Sequence, residues 1–160
     1  MRKLLTLMLV MCTCCALRAQ VANYPSAQKW SRDTSRDPMN STLIDIVSKS
    51  STTQEEFSEG YHPLRLLMKN ADQGLQLAFM IHKVMFLNEP SQLEIRLDGG
   101  ELETYTYYFP RPGDYTMICL NDAPQLVKRI QNSHKMLVRV RFYAEGSKIY
   151  QYYLDNCPWQ

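Results

Sequence analysis

The chain from Leu64 to Leu154 is a succession of short apolar segments separated by Gly, Pro, Asn and Asp. Alternating apolar and polar positions within a segment predict strands, and the turn-forming residues between segments predict tight reversals. The predicted strands are 64–68, 75–81, 93–97, 102–109, 115–120, 136–143 and 148–154, with further candidates at Trp30 and 42–47. This spacing predicts a mainly all-β fold, an antiparallel β-sandwich of about 8–9 strands.

The remaining segments have other patterns. Residues 48–60 are polar and predict a surface loop, and Asp37-Pro38-Met39-Asn40 predicts a turn. Asp122 can cap a helix with Pro124 in its first turn and Gln125 at the capping-box position. The apolar residues of this helix share one face, and they are Leu126, Val127 and Ile130. We therefore expect one short crossover helix between the two sheets.

Charged residues and tyrosines surround a Gly-Gly pair in the segment IRLDGGELETYTYYF, residues 95–109. A two-residue turn at Gly99-Gly100 would place Leu97 opposite Leu102, with the charged side chains on the other face. In that register Arg96 lies opposite Glu103 as a cross-strand ion pair. Asp98 then flanks the turn, and the charges of this hairpin need no catalytic explanation.

Farther from this turn, aromatic and arginine side chains are predicted to face outward together. The candidate contact surface comprises Tyr105, Tyr107, Phe109, Arg139, Arg141 and Tyr143. Guanidinium groups beside exposed rings can stack on a sugar or dock a protein. The alternative is structural: both faces are partly covered, and tyrosine is enriched in strands by propensity alone.

The N-terminus has the pattern of an export signal. Arg2 and Lys3 precede an apolar run that ends in Leu-Arg-Ala-Gln at 17–20. We predict a signal peptide at 1–19, an extended segment at 20–28 and a single β-sandwich domain at 29–160. The apolar run is shorter than the roughly 20 residues of a membrane span. The expected location is periplasmic or extracellular, and lipid attachment at Cys12, Cys14 or Cys15 is the alternative.

Without residues 1–19 the charge and the cysteine content change. That segment carries three of the 18 basic residues and no acidic one, so 15 basic and 16 acidic residues remain. This balance gives no support to a nucleic-acid partner. Only Cys119 and Cys157 remain, and an exported pair predicts one disulfide, with two buried thiols as the alternative.

Sequence motifs for catalysis are missing. The three histidines, His62, His82 and His134, form no metal-ligand spacing. There is no nucleophile elbow, P-loop or dinucleotide fingerprint in the sequence. We therefore predict no catalytic residue, no metal, no cofactor and no enzymatic activity. A hydrolase that uses Cys119 with a histidine, or a carboxylate pair, remains a less favoured alternative.

Short motifs along the chain carry a family resemblance. In order they are Trp30, Asp37-Pro38-Met39-Asn40, Leu64-Arg65-Leu66, Ile95-Arg96-Leu97-Asp98-Gly99, Leu137-Val138-Arg139-Val140 and Tyr153-Leu154-Asp155. This order resembles small exported accessory proteins encoded in type VI secretion clusters, and related secreted β-sandwich proteins. The resemblance implies an accessory role in a secretion or cell-envelope system.

These observations together predict an exported, non-enzymatic binding or assembly module. The expected partner is a protein or a cell-envelope glycan, with no nucleic acid and no membrane span. A glycan- or small-ligand-binding sandwich is the main alternative. That alternative requires several tyrosines exposed as one flat platform.

Overall fold

The computed structural model describes residues 29–36, 43–71 and 74–159. Its elements are β1 (Ser31–Arg36), β2 (Leu43–Phe57), β3 (Gly60–Ala71), β4 (Gly74–Met80), β5 (Gln92–Leu97), β6 (Glu103–Tyr108), β7 (Met117–Leu120), α1 (Ala123–Gln131), β8 (Lys135–Phe142) and β9 (Gly146–Tyr153). Nine antiparallel strands and one short helix confirm the predicted all-β class in this part of the chain. The predicted signal peptide, the segment 20–28 and the turn at 37–40 lie outside the described residues.

The strands form one hydrogen-bonded sheet in the order β1-β2-β3-β4-β7-β6-β5-β8-β9. This sheet folds back on itself, and side chains of β2 reach β9. The Oγ1 of Thr52 donates to the carbonyl of Gln151 at 2.8 Å, and the Gln151 N–H donates to Oγ1 of Thr53 at 2.9 Å. The two layers of the predicted sandwich are therefore parts of one continuous sheet around a shared core.

Alternation in β8 and β9 builds much of that core. Val138 pairs with Tyr150, and both side chains are fully buried. Residues at the same parity are buried as well, namely Met136, Val140, Phe142 and Tyr152. Residues at the other parity of β8, Arg139 and Arg141, are exposed. The sheet thus has an apolar inner face and a polar outer face here, as an antiparallel sheet with one solvated side requires.

The predicted helix is present as α1, which connects β7 to β8. Its apolar face is buried, with Ala123, Leu126, Val127 and Ile130 in the core. The predicted capping box is wrong, because Asp122 makes no side-chain hydrogen bond to the helix end. Packing of the amphipathic face, rather than a cap, stabilises this short helix. Within the described ranges no helix is long and apolar enough to cross a membrane.

The predicted loop at 48–60 is wrong, because β2 continues to Phe57. Polar side chains in this stretch are buried but hydrogen-bonded: Ser51 Oγ accepts from the N–H of Leu64 at 3.0 Å and donates to the carbonyl of Thr53 at 2.6 Å. The pairing of β2 with β3 is irregular between Ser50 and Gln54. The Ser51 hydroxyl thus replaces a missing ladder bond at this bulge, so the polar composition belongs to a strand.

The turn between β5 and β6 uses a different residue pair from the predicted one. Asp98 and Gly99 are both left-handed, with φ of +47° and +76°. The N–H of Gly100 donates to the carbonyl of Leu97 at 2.8 Å, which closes the turn. Two successive positive φ values are typical of a type I′ hairpin turn, for which Asp-Gly is a favoured pair. The turn therefore lies at Asp98-Gly99 and not at Gly99-Gly100.

Three residues, 98–100, separate Leu97 from the position opposite it, Glu101, so the connection is one residue longer than the predicted two-residue turn. This odd length shifts the hairpin register by one residue and reverses the predicted faces of β6. Leu93 pairs with Tyr105, and Ile95 pairs with Glu103. Because paired residues share a face, Tyr105 and Tyr107 point to the same side as the buried Leu93 and Ile95. The predicted outward orientation of Tyr107 is wrong, and its side chain is only 3% exposed.

The predicted disulfide is also absent from the structure. Cys119 and Cys157 are both free thiols, the first buried in β7 and the second half-buried after β9. Cys119 is hydrogen-bonded to the hydroxyl of Tyr108 across the β6–β7 pair. Desolvation is the main influence on both cysteines and raises the pKa of each thiol.

Candidate functional site

The six residues of the predicted contact surface do not lie together. Tyr105 and Tyr107 lie on the inner side of β6. Phe109 and Tyr143 adjoin an apolar depression. Arg139 and Arg141 lie on the outer face of β8. The register of β6 causes this separation, because it turns two of the tyrosines inward. Only the arginines keep the predicted position on an outward sheet face.

Tyr105 belongs to a cluster between β6 and α1. Its hydroxyl donates to Glu103 at 2.8 Å, and Arg129 of α1 binds the same carboxylate through both of its terminal nitrogens. The hydrogen bonds from Arg129 and Tyr105 lower the pKa of Glu103 to about 2. Glu103 was predicted to pair with Arg96, and this pairing is wrong. The cluster holds the helix against β6 and leaves Tyr105 half-buried.

Tyr143 borders a small apolar depression of about 230 Å³ that is also lined by Met85, Phe86 and Tyr115. The Tyr143 side chain is 62% exposed. Phe109 supports this region from beside it, with its ring packed edge-on against Tyr115 at 4.9 Å between centroids. The depression offers apolar contact area without a charged or hydrogen-bonding side chain apart from Asn88 and the tyrosine hydroxyls.

Arg139 and Arg141 line a larger depression of about 420 Å³ on the outer face of β5, β6 and β8. Its polar lining consists of Gln92, Glu94, Thr104, Arg139, Arg141 and Ser147. Glu94 lies opposite Thr104 on one side and opposite Arg139 on the other, so adjacent strands contribute one row of side chains. We call this surface the outer-face depression.

The charges of the outer-face depression are unequal. The Nε of Arg139 donates to the Glu94 carboxylate, and this hydrogen bond is the main influence that lowers the pKa of Glu94. Arg141 also lowers the Glu94 pKa by its charge, yet it has no hydrogen-bond acceptor among the described residues. Arg96 lies one row away on the same face, opposite Leu137. On this face the single carboxylate of Glu94 therefore lies among three guanidinium groups, those of Arg96, Arg139 and Arg141.

Acid–base groups occur elsewhere but are dispersed. The Nδ1 of His134 lies 2.7 Å from the Asp155 carboxylate in an exposed pair, and this hydrogen bond raises the pKa of His134. Asp98 accepts from the backbone N–H groups of His134 and Lys135. Among the described residues no group of three or more His, Cys, Asp and Glu side chains could hold a metal ion.

Sequence reasoning missed several lining residues. Thr104, Gln92 and Ser147 had no distinguishing motif, and only the true register of β5, β6 and β8 brings them beside Arg141. Lys49, a buried lysine of β2 outside this depression, was missed because it falls in the segment predicted to be a loop. The two adjacent threonines, Thr52 and Thr53, were the available signal of a strand there.

Comparisons with known proteins provide no relative from which a site can be transferred. No protein-family model matches the chain, and neither a curated protein nor a solved structure matches it.

Proposed function

We propose that this protein is an exported, non-enzymatic binding or assembly module that docks an acidic protein segment on its outer-face depression. Export follows from the signal pattern of residues 1–19. An accessory role in a secretion or cell-envelope system rests on the motif resemblance alone. The binding site rests on the geometry of β5, β6 and β8.

The observation that carries the proposal is the Arg141 guanidinium, which has no acceptor in the part of the chain that the structure describes and lies beside the Arg139–Glu94 pair. Arg139 is fixed in position by its carboxylate partner, whereas no described acceptor occupies the Arg141 guanidinium. A guanidinium group binds a carboxylate through two parallel N–H donors, and arginine is enriched at protein interfaces. A partner carboxylate would offset the local excess of positive charge.

A protein segment suits this depression better than a sugar ring. Sugar binding by stacking requires a flat aromatic surface, and no aromatic side chain is among the lining residues. The exposed tyrosine nearest in the chain, Tyr143, borders the separate apolar depression. The outer-face depression instead offers guanidinium, amide and hydroxyl groups, which hydrogen-bond to carboxylates and to peptide carbonyls.

A charge-removing variant tests this proposal. Arg141→Gln should weaken binding of a fluorescent oligoglutamate peptide about fivefold, as expected for loss of one exposed ion pair. The binding should also weaken with added salt, because exposed charges are screened over about 8 Å at physiological ionic strength. Fluorescence anisotropy measures both effects, and thermal unfolding checks that the fold is retained.

Arg36→Gln is the matched control, since Arg36 is an exposed arginine in β1 that does not line the depression. It removes the same charge and should leave peptide affinity unchanged. Equal loss of affinity in both variants would mean that only the net charge matters, and the site assignment would be rejected. Absence of saturable peptide binding to the unsubstituted protein would also reject it.

A further inference from the structure

A second depression, of about 560 Å³, lies where β1 and β2 meet the residues that follow β9. Its walls include Trp30, Arg32, Lys49, Tyr153, Asp155 and Pro158. We call it the Trp30 pocket. It shares no lining residue with the outer-face depression, so an inference about it is independent of the function proposed above.

Long-range hydrogen bonds hold the walls of the Trp30 pocket in place. The indole Nε1 of Trp30 donates to the carbonyls of Leu154 and Asp155, at 3.3 and 3.1 Å. Arg32 donates to the carbonyl of Pro158 at 3.3 Å and to both carboxylate oxygens of Asp45 at 2.9 and 2.7 Å. The ring and the guanidinium are thus fixed before any ligand binds, which reduces the entropy lost on binding.

Lys49 is the unusual residue of this pocket. Its side chain is only 4% exposed, and its Nζ lies 5.0 Å from the centroid of the Trp30 ring. No residue that the structure describes accepts a hydrogen bond from this Nζ. The π face of Trp30 stabilises the ammonium group in part. A buried cation without a hydrogen-bonded anionic partner is otherwise costly. Burial lowers the pKa of Lys49, and the charge of Asp155 opposes this shift only in part.

The carboxylates near Lys49 are engaged with other groups. Asp155 accepts from His134 at 2.7 Å, and its side chain is more than half exposed. Asp45 is occupied by both donors of Arg32. Lys29 adds another positive charge to the lining, in which Asp155 is the single acidic side chain. The pocket therefore combines an excess of positive charge with an aromatic wall.

We propose that the Trp30 pocket binds a small carboxylate, whose anionic group accepts hydrogen bonds from Lys49 and whose apolar part packs against Trp30 and Tyr153. The carboxylate completes the coordination of the buried ammonium group, which has three donors and no described acceptor. Tyr153 is 42% exposed and offers an apolar ring beside the pocket opening. Carboxylate and apolar group are both required, since the lining supplies a cation and aromatic surface together.

Benzoate and its neutral analogue benzamide test the proposal on the full, unsubstituted protein. Benzoate should shift the Trp30 indole N–H resonance saturably in an NMR titration, and benzamide should bind at least about tenfold more weakly because it carries no charge. Trp30→Phe identifies that resonance, as the chain contains only one other tryptophan. Equal binding of the two compounds, or no saturable shift with benzoate, would overturn the proposal.

Substitution of the lysine gives a second test. Lys49→Met keeps an unbranched side chain of similar length and should weaken benzoate binding about tenfold or more. Lys128→Met is the matched control, because Lys128 is exposed on α1 and does not line the pocket. Unchanged benzoate affinity in folded Lys49→Met protein would contradict the role of Lys49. If that variant does not fold, the comparison of benzoate with benzamide on the unsubstituted protein still tests whether the pocket binds a carboxylate.

The carboxylate could come from a free acid or from the end of a peptide chain. A short peptide that ends in phenylalanine with a free carboxylate, compared with its amidated form, separates these sources. Tighter binding of the free-carboxylate peptide than of benzoate would assign the pocket to a chain terminus. Binding of benzoate alone would assign it to small free acids. Failure of both benzoate and the free-carboxylate peptide to bind would overturn the proposal.

Discussion

The ring of Tyr107 lies in the core, and its hydroxyl forms a hydrogen bond to a neighbouring loop. Its ring packs against Phe86 and Phe109, at 6.5 and 5.8 Å between centroids. Its hydroxyl donates to the carbonyl of Leu87, in the irregular segment between β4 and β5. Burial raises the pKa of Tyr107 to about 12, so the hydroxyl stays protonated and remains a donor at physiological pH. One side chain therefore joins β6 to a neighbouring loop.

Substitutions at Tyr107 should separate its two contributions. Tyr107→Phe keeps the ring and leaves the Leu87 carbonyl without its donor, so the free energy of unfolding should fall by about 1 kcal/mol. Tyr107→Ala also removes the ring and should cost about 3–5 kcal/mol. Urea denaturation measures both values. Tyr143→Ala, at an exposed tyrosine, should change stability by less than about 0.5 kcal/mol.

If Tyr107→Ala were as stable as Tyr143→Ala, the inward orientation of Tyr107 would be wrong. The sequence could not decide this orientation by alternation alone, because Tyr105, Tyr107 and Phe109 are compatible with either face. The orientation depends on the number of residues between the strands, and the connection has three residues, 98–100, instead of two. One additional residue in this connection thus determined whether the predicted site residues were exposed.

The β5–β6 turn is stabilised by the start of β8 as well as by its own residues. The Asp98 carboxylate accepts from the N–H groups of His134 and Lys135, at 2.9 and 2.8 Å. The Asp98 N–H donates to the carbonyl of Lys135 at 2.9 Å. These bonds join a hairpin turn to a third strand. They also explain why an acidic residue occupies a left-handed position that glycine would adopt more easily.

Asp98 should make stability dependent on acid pH. Hydrogen bonds from the backbone of Lys135 and His134 lower the pKa of Asp98 below its ordinary value of 3.8. The unfolded state then binds the proton more readily, so the stabilisation is complete above the unfolded pKa and is lost as the pH falls through the folded value. Asp98→Ala should abolish this part of the acid dependence.

Denaturation of Asp98→Ala and Asp98→Asn over the acid range checks this prediction. Asparagine tolerates the left-handed backbone and keeps one acceptor oxygen, so Asp98→Asn should be more stable than Asp98→Ala at neutral pH. An unchanged acid dependence in both variants would show that the Asp98 carboxylate does not contribute. The other carboxylates with lowered pKa values stay in both variants and provide the common background.

Elements with strict periodicity were predictable, whereas elements that depend on distant partners were not. The buried face of α1 and the alternation in β8 both follow from residue spacing. The second half of β2 lacks apolar alternation, and its polar side chains are satisfied by Leu64 and Gln151, residues far along the chain. Local sequence contains no information about those partners. The predicted loop at 48–60 failed for this reason.

At the scale of the whole molecule, side chains rather than backbone pairing close the sheet between β2 and β9. Thr52 and Thr53 form hydrogen bonds to the two backbone groups of Gln151. Lys148 donates to the carbonyl of Glu56 at 2.7 Å nearby. The edges of β2 and β9 are thus protected from pairing with another chain at this point, which reduces the risk of aggregation through exposed strand edges.

Removal of the closing hydroxyl should weaken this junction. Thr53→Val keeps the side-chain shape but leaves the Gln151 N–H without an acceptor, at a cost of about 1–2 kcal/mol. Amide hydrogen exchange at Gln151 should accelerate, and chemical denaturation should show the lower stability. Thr34→Val, at an exposed threonine of β1, is the control. Equal exchange rates at Gln151 in both variants would refute the role of Thr53.

The all-β class was predictable because turn residues recur at short intervals between alternating segments. The continuity of the sheet was not, since it depends on the pairing of β4 with β7 and of β5 with β8. These strands are separated by long stretches of chain. The positions of Cys119 and Cys157 in the sequence likewise gave no information on their separation in the fold.

The hydrogen bond from Trp30 to the Asp155 carbonyl spans 125 positions and closes almost the whole described chain into a loop. Closing so long a loop costs more entropy than forming any hairpin, so contacts between nearby strands form first. We expect the contacts of Trp30 and Arg32 with the final residues to form late in folding. By the same reasoning they should open early, before the rest of the sheet unfolds.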